Sequence, residues 1–264
     1  MGWRLFNAIV AHRAASIESP ATSPTTSTSA TGGQPSTSPG PAAPTPGTVT
    51  LSPAACTIYA HQAAALDKDQ SAQNEATRLR ARGYSAYVTY LPSSPPVYKV
   101  RVGAFADKAT ASAYSASLKK AGVSGFLSSV SIPATQRTWR GSDATYLAAL
   151  KKAAEEAGAL VPAEAGWFDA YHQKKIDREA LKTRADQWKE RLRAAGAGLT
   201  AAAPADLTAL GSRVTEAQKA AEGAVEALST FAGSGTNDAY GRAVAAYMKL
   251  VDAYRAVLAW DGNK

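Results

Sequence analysis

The sequence predicts an α+β fold in which a βαββαβ unit, a four-stranded antiparallel sheet with two helices on one face, is followed by an all-α helical bundle. Three observations predict it. Tyr98-Lys99-Val100-Arg101-Val102 alternates apolar and polar residues, the period of a half-buried strand, and a helix-period segment and a second extended run follow it. The segment just before repeats that order. After Pro133 the composition turns to Ala, Leu, Lys, Glu and Arg, with apolar residues three and four apart, as in helices that pack on one another.

Residues 1–16 hold an apolar core only from Leu5 to Ala11, interrupted by Asn7 and far short of the ~20 residues that span a bilayer. His12 and Arg13 stand where small uncharged residues would lead to signal-peptide cleavage. Three readings stay open: an interfacial anchor giving membrane association, the remnant of a membrane anchor lost to a misassigned start, or a disordered end. The second is preferred. Residues 17–47 are almost wholly Ser, Thr, Pro, Gly and Ala. Such a linker has nothing with which to build a core and is expected to stay disordered.

The βαββαβ unit is expected over residues 48–132. Cys56-Thr57-Ile58-Tyr59-Ala60 alternates like a strand; residues 71–82 follow as a helix with Ala72, Ala76 and Leu79 on one face; Gly83 ends it, and residues 84–89 return as a strand. A turn at Leu91-Pro92-Ser93-Ser94-Pro95-Pro96 leads into the second half. There Gly103 closes the strand, residues 106–121 carry Ala111, Tyr114, Ser115 and Leu118 at helical spacing, Gly122 caps the helix, and Gly125-Phe126-Leu127-Ser128 opens the last strand. Leu79-Arg80-Ala81-Arg82-Gly83 aligns with Leu118-Lys119-Lys120-Ala121-Gly122.

Val100-Arg101-Val102-Gly103-Ala104-Phe105, the helix start Asp107-Lys108-Ala109 and the Leu118-to-Gly122 run resemble the SPOR (sporulation-related repeat) domain, whose members bind bacterial peptidoglycan. The resemblance implies the βαββαβ fold and a glycan strand lying across the open face of the sheet. It also implies a preference for glycan stripped of its stem peptides, and an extracytoplasmic, septal place in the cell envelope, as for septal sporulation and cell-division proteins of spore-forming bacteria. The first half departs from the pattern: Ile58-Tyr59-Ala60-His61-Gln62-Ala63 lacks the Gly and Phe, and Tyr59 stands where Gln is common. The contacts expected of that strand are weakened or altered accordingly.

Alternation assigns Ile58, Ala60, Ala86, Val88, Val100, Val102 and Leu127 to the helix-covered face, and Thr57, Tyr59, His61, Tyr87, Thr89, Lys99, Arg101, Phe126 and Ser128 to the open one. The candidate glycan-binding residues are Tyr59, Tyr87, Thr89, Lys99, Arg101 and Phe126. Aromatic rings receive the flat C–H faces of sugars, and Arg, Lys and Thr bond hydroxyl and acetamido groups. The competing accounts of these aromatics are packing against the C-terminal helices, or strand propensity with no further purpose. Cys56 follows Leu51-Ser52-Pro53-Ala54-Ala55, but no apolar segment precedes it, so a buried strand cysteine is expected rather than a lipid-modified one. His61 is expected to be a solvated loop residue.

Four helices are read in a bundle over residues 142–264: residues 143–157; 163–195, with Trp167, Tyr171, Leu181, Ala185, Trp188 and Leu192 on one stripe; one opened by Pro204; and one capped by Asn237 or Asp238. The third carries Leu207, Leu210, Val214, Ala217, Ala221, Ala224, Leu228 and Phe231 in unbroken 3-4 alternation. The fourth carries Tyr240, Val244, Tyr247, Val251, Tyr254 and Leu258. Lys174, Lys175 and Arg178 interrupt the second stripe, as a solvated face or a basic patch.

A net charge of +8 and a pI near 9.5 favour anionic partners or plain solubility. One cysteine excludes an internal disulfide, and His12, His61 and His172 are too scattered to suggest a metal site. No nucleophile–base motif, placed acid or phosphate loop is present, so neither a cofactor nor an enzymatic activity is expected. The function read from the sequence is non-catalytic peptidoglycan binding, with the bundle as spacer, protein-partner platform or self-association surface. Two alternatives compete: a helical scaffold or oligomerisation protein with a degenerate SPOR domain, and an RNA-binding βαββαβ domain. The latter's K/R-G-F/Y-G/A-F-V-x-F/Y signature is missing, so no nucleic acid is expected as a partner.

Overall fold

The computed structural model describes residues 45–91 and 94–261. The N-terminal stretch, the linker up to residue 44, and Pro92 and Ser93 of the expected turn lie outside the described residues. In chain order the elements are β1 (Gly47–Leu51), β2 (Cys56–Leu66), α1 (Asp69–Ala81), β3 (Ala86–Leu91), β4 (Val97–Phe105), α2 (Lys108–Lys120), β5 (Phe126–Ile132), β6 (Arg137–Gly141), α3 (Ala144–His172), α4 (Arg178–Gly196), α5 (Thr208–Ser234) and α6 (Asn237–Leu258).

The βαββαβ unit is present. Its strands run antiparallel in the order β3-β4-β2-β5. Ala72, Ala76 and Leu79 of α1 and Leu118 of α2 close a core with Ala86, Val100 and Val102 of the sheet. The two halves even end their helices alike. Gly83 and Gly122 both take positive φ, and the next residue's N–H returns to the carbonyl of the last apolar helix residue, Tyr84 to Leu79 at 3.1 Å and Val123 to Leu118 at 2.9 Å.

The phase of β2 differs from the simple alternation. Register shifts between Tyr59 and His61 and between Gln62 and Ala64 are β-bulges, where an extra residue reverses which side chains face which way. Residues directly opposite in a ladder share a face. Ile58 pairs with Val130 and joins the far-side core, away from α1 and α2, and Ala60, opposite Ser128, faces the same way. Tyr59 and His61 point toward α2 instead: Tyr59 is opposite Phe105, and His61 is opposite Val102. His61 is a buried residue, not a solvated one. Its Nδ1 lies 2.8 Å from Ser115 Oγ and its Nε2 3.0 Å from Ser124 O, and burial holds its pKa below the usual imidazole value.

A second sheet, β1 against β6, was not anticipated. Val49, Leu51 and Trp139 alternate inward, a signal too short to stand out beside the linker. Leu51 and Trp139 are fully buried against the bundle.

The bundle helices differ from expectation at one junction and one cap. α3 runs unbroken through Gly158 and Pro162, and the chain breaks later, at Lys174, whose φ is +56°. Proline inside a helix costs about 3 kcal/mol. Leu150, Ala154, Ala157, Val161, Ala165 and Phe168 form a continuous buried stripe across it, and that burial outweighs the loss. Thr236, rather than Asn237 or Asp238, caps α6, with Oγ1 accepting from Ala239 N at 3.2 Å. The stripes of α5 and α6 are buried along their whole length, and left-handed Gly235 closes α5 before Thr236.

Bundle and sheet form one compact unit. α3 and α6 lie against the sheet face opposite α1 and α2, touching β4 and, through α6, β3. Ile58, Tyr87, Ala104 and Ile132 of the sheet belong to the same hydrophobic cluster as the bundle core.

Candidate functional site

The motif at the end of β4 shapes the site. Gly103 takes φ +71°, and a Cβ there would run into the Phe105 ring and meet Tyr114 at 3.3 Å, so only glycine lets the strand bend and Phe105 turn inward. Phe105 then stacks against Tyr114 of α2 and His172 of α3, with ring centroids 5.1 and 5.0 Å away. The His172 Nε2 atom lies 2.8 Å from the Tyr240 hydroxyl, and burial pushes its pKa down to about 4. Beside it, Asp169 Oδ2 accepts from the backbone N–H groups of Ala106 and Asp107 at 2.9 and 2.8 Å, at the entry to α2. Burial raises the Asp169 pKa to about 6 although both N–H groups pull it down. Gln173 Nε2 donates to Thr110 Oγ1 at 2.6 Å. The α2 end of the sheet is thereby bolted to α3.

Five of the six candidate glycan residues share the far face. Register places Phe126, Gln62, Arg101 and Tyr87 in one row across the four strands, and Ala65, Lys99 and Thr89 in the next. Tyr59 is excluded: the bulge in β2 turns it, half-buried, toward α2.

Tyr87 and Arg101, expected at the centre of an open face, are covered by the bundle, at 1% and 7% exposure. Tyr87 donates its hydroxyl to Gly103 O at 3.1 Å, and burial raises its pKa. Arg101 lies near Asp252 of α6, and its Nε finds no partner. Packing against the C-terminal helices is therefore the account that holds for Tyr87. Single-sequence alternation identifies a face, and nothing in it reports what a remote segment lays on that face.

The remaining three residues stay accessible. Phe126 is 56% exposed on edge strand β5, and Lys99 and Thr89 are half-buried. Tyr90 and Leu91, at 55% and 45%, are the other large exposed apolar residues among those described. Thr89, Tyr90 and Leu91 line a cleft of about 610 Å³ between β3 and α6, whose opposite wall carries Met248, Lys249, Asp252 and Arg255. Sequence reasoning missed these α6 residues, because their i, i+3, i+6 spacing marks only a solvated helix side.

A protein-family model for the SPOR domain matches residues 57–129. The chain carries a SPOR domain. The match runs from the second residue of β2 to the fourth of β5, about a quarter of the chain. SPOR is a peptidoglycan-binding domain, found in envelope and septal proteins. No curated protein and no solved structure matches the chain. Among the described residues no helix is long and apolar enough to cross a membrane, and no three His, Cys, Asp or Glu side chains gather to hold a metal ion.

Proposed function

We propose that the chain binds peptidoglycan glycan strands, without catalysis, at the end of the SPOR sheet face that the bundle leaves uncovered, and that this binding places it at division or sporulation septa. The observation that carries the proposal is the SPOR match over a sheet whose far face still exposes Phe126, Lys99 and Thr89 together. From Phe126 on β5 to Thr89 on β3 is three strand spacings, about 14 Å, long enough for several sugar units laid across the strands. The Phe126 ring supplies an apolar platform at one edge, and Lys99 and Thr89 supply donors beyond it. Tyr87 and Arg101, on the same face, lie under the bundle beside this strip.

The test is co-sedimentation of the full chain with purified sacculi, before and after amidase treatment. Isolating residues 48–132 would strip the bundle from Ile58, Tyr87 and Ala104 and measure a different surface. Stronger sedimentation with stripped sacculi, lost about tenfold (about 1.4 kcal/mol) in Phe126→Ala with Lys99→Ala, is the expected result. A second reading, a scaffold built on a SPOR fold that no longer binds glycan, draws on one observation: the bundle fills the centre of the face at Tyr87 and Arg101. Absence of binding to either sacculus sample would favour it.

A further inference from the structure

We propose that α6 completes the saccharide site: the cleft between β3 and α6 receives a sugar-borne carboxylate against Lys249 and Arg255. The inference rests on the glycan reading above and adds to it a wall drawn from outside the SPOR domain. Three features of the cleft support this assignment. Its sheet side continues the uncovered row, since Thr89 lines the cleft and is paired directly with Lys99. Its rim holds the exposed Leu91, giving apolar surface for a pyranose face. Its helix side is cationic: Lys249 and Arg255 are exposed two turns apart, and the acid between them, Asp252, meets Arg255 only at 3.8 Å. Two cations, Lys249 and Arg255, line the cleft against one carboxylate, Lys99 stands on the next strand opposite Thr89, and Lys249 makes no ion pair among the described residues.

The charge has a chemical counterpart. Amidase hydrolysis of a stem peptide breaks the amide to the sugar's lactyl ether, adding water and leaving a free carboxylate on the glycan. Stripping therefore creates an anion at regular intervals along an otherwise neutral polymer. A half-open cleft with one unpaired cation, Lys249, and one loosely paired, Arg255, recognises that group through charge-assisted hydrogen bonds, while a strand still carrying peptides presents an amide there and more bulk.

The test uses the full chain, sedimented at low and raised salt with amidase-stripped sacculi and with chitin, which has the same β-linked amino-sugar backbone and no carboxylate. The wild type is expected to prefer stripped sacculi over chitin by about tenfold at low salt, and less as salt screens the cations. Lys249→Ala with Arg255→Ala removes most of that preference, leaving chitin binding and the melting temperature unchanged. Equal wild-type binding to both polymers, or an undiminished preference in the double variant, overturns the α6 assignment. Phe126→Ala keeps the two readings apart, because it weakens binding to both polymers whenever the sheet face is the site. No wild-type binding to either polymer overturns both.

Discussion

The two faces of the four-stranded sheet are buried by different means. The face toward α1 and α2 is closed by its own sequence neighbours, through small residues, Ala72, Ala76 and Ala86, with Leu79 and Leu118. The opposite face is closed by α3 and α6, remote in sequence, through Tyr87, Ile58, Ala104 and the bundle's aromatic core. The first is the ordinary core of a βαββαβ unit. The second turns a surface that resembles a ligand platform into an internal interface and leaves only one end of it to solvent. A binding domain can thus keep its fold while an appended segment decides how much of its working face remains.

Of the substitutions that break this contrast, Tyr87→Ala has the largest effect on stability. Removing a fully buried aromatic costs about 3–5 kcal/mol, and the loss should appear in sheet and bundle together, as one denaturant transition followed by circular dichroism and by tryptophan fluorescence. A bundle transition that stays in place while the sheet melts would show that the faces are independent. Tyr87→Phe isolates the hydroxyl's bond to Gly103 and should cost only about 1 kcal/mol.

The pH dependence sharpens the bundle side of the comparison. Glu164 of α3 is fully buried with neither carboxyl oxygen hydrogen-bonded, and burial raises its pKa to about 8. A raised acid pKa means the folded chain favours the protonated form. Its contribution is fully present below about pH 4.5 and is lost as pH rises toward 8, by up to about 1.4 kcal/mol per pH unit. His172 acts in the opposite sense: its lowered pKa gives stability above about pH 6.5 that is lost as pH falls toward 4. Thermal melts should show declining stability from pH 6 to pH 9, and Glu164→Gln should flatten that slope. A slope unchanged by the substitution would assign it to other groups.

Asp169→Ala tests the polar bolt between α3 and α2. Loss of the two backbone bonds at the helix entry should cost about 1–2 kcal/mol and speed amide exchange at Ala106 and Asp107 relative to the α1 entry. The smallest effect is expected of Tyr59→Phe. With the ring turned away from the binding face, sacculus binding should stay within about twofold, and stability within about 0.5 kcal/mol. A tenfold loss of binding would return Tyr59 to the site.

The sequence by itself determined the local order: both strand-helix-strand halves, their glycine-capped helices, the stripes of α5 and α6, and the SPOR pattern around Val100-Arg101-Val102-Gly103-Ala104-Phe105. These follow from period, cap chemistry and burial along single elements, which depend on neighbours a few residues away. It also brought Thr89, Lys99 and Phe126 to one face. Tertiary structure alone decided three things: the inverted phase of β2, because a bulge conserves apolar content while reversing its parity; the unbroken α3, because a buried stripe outweighs one proline; and the covering of Tyr87 and Arg101 by α3 and α6. The last is a contact with segments remote in sequence, α6 most of all, and alternation within a strand carries no record of what will pack upon it.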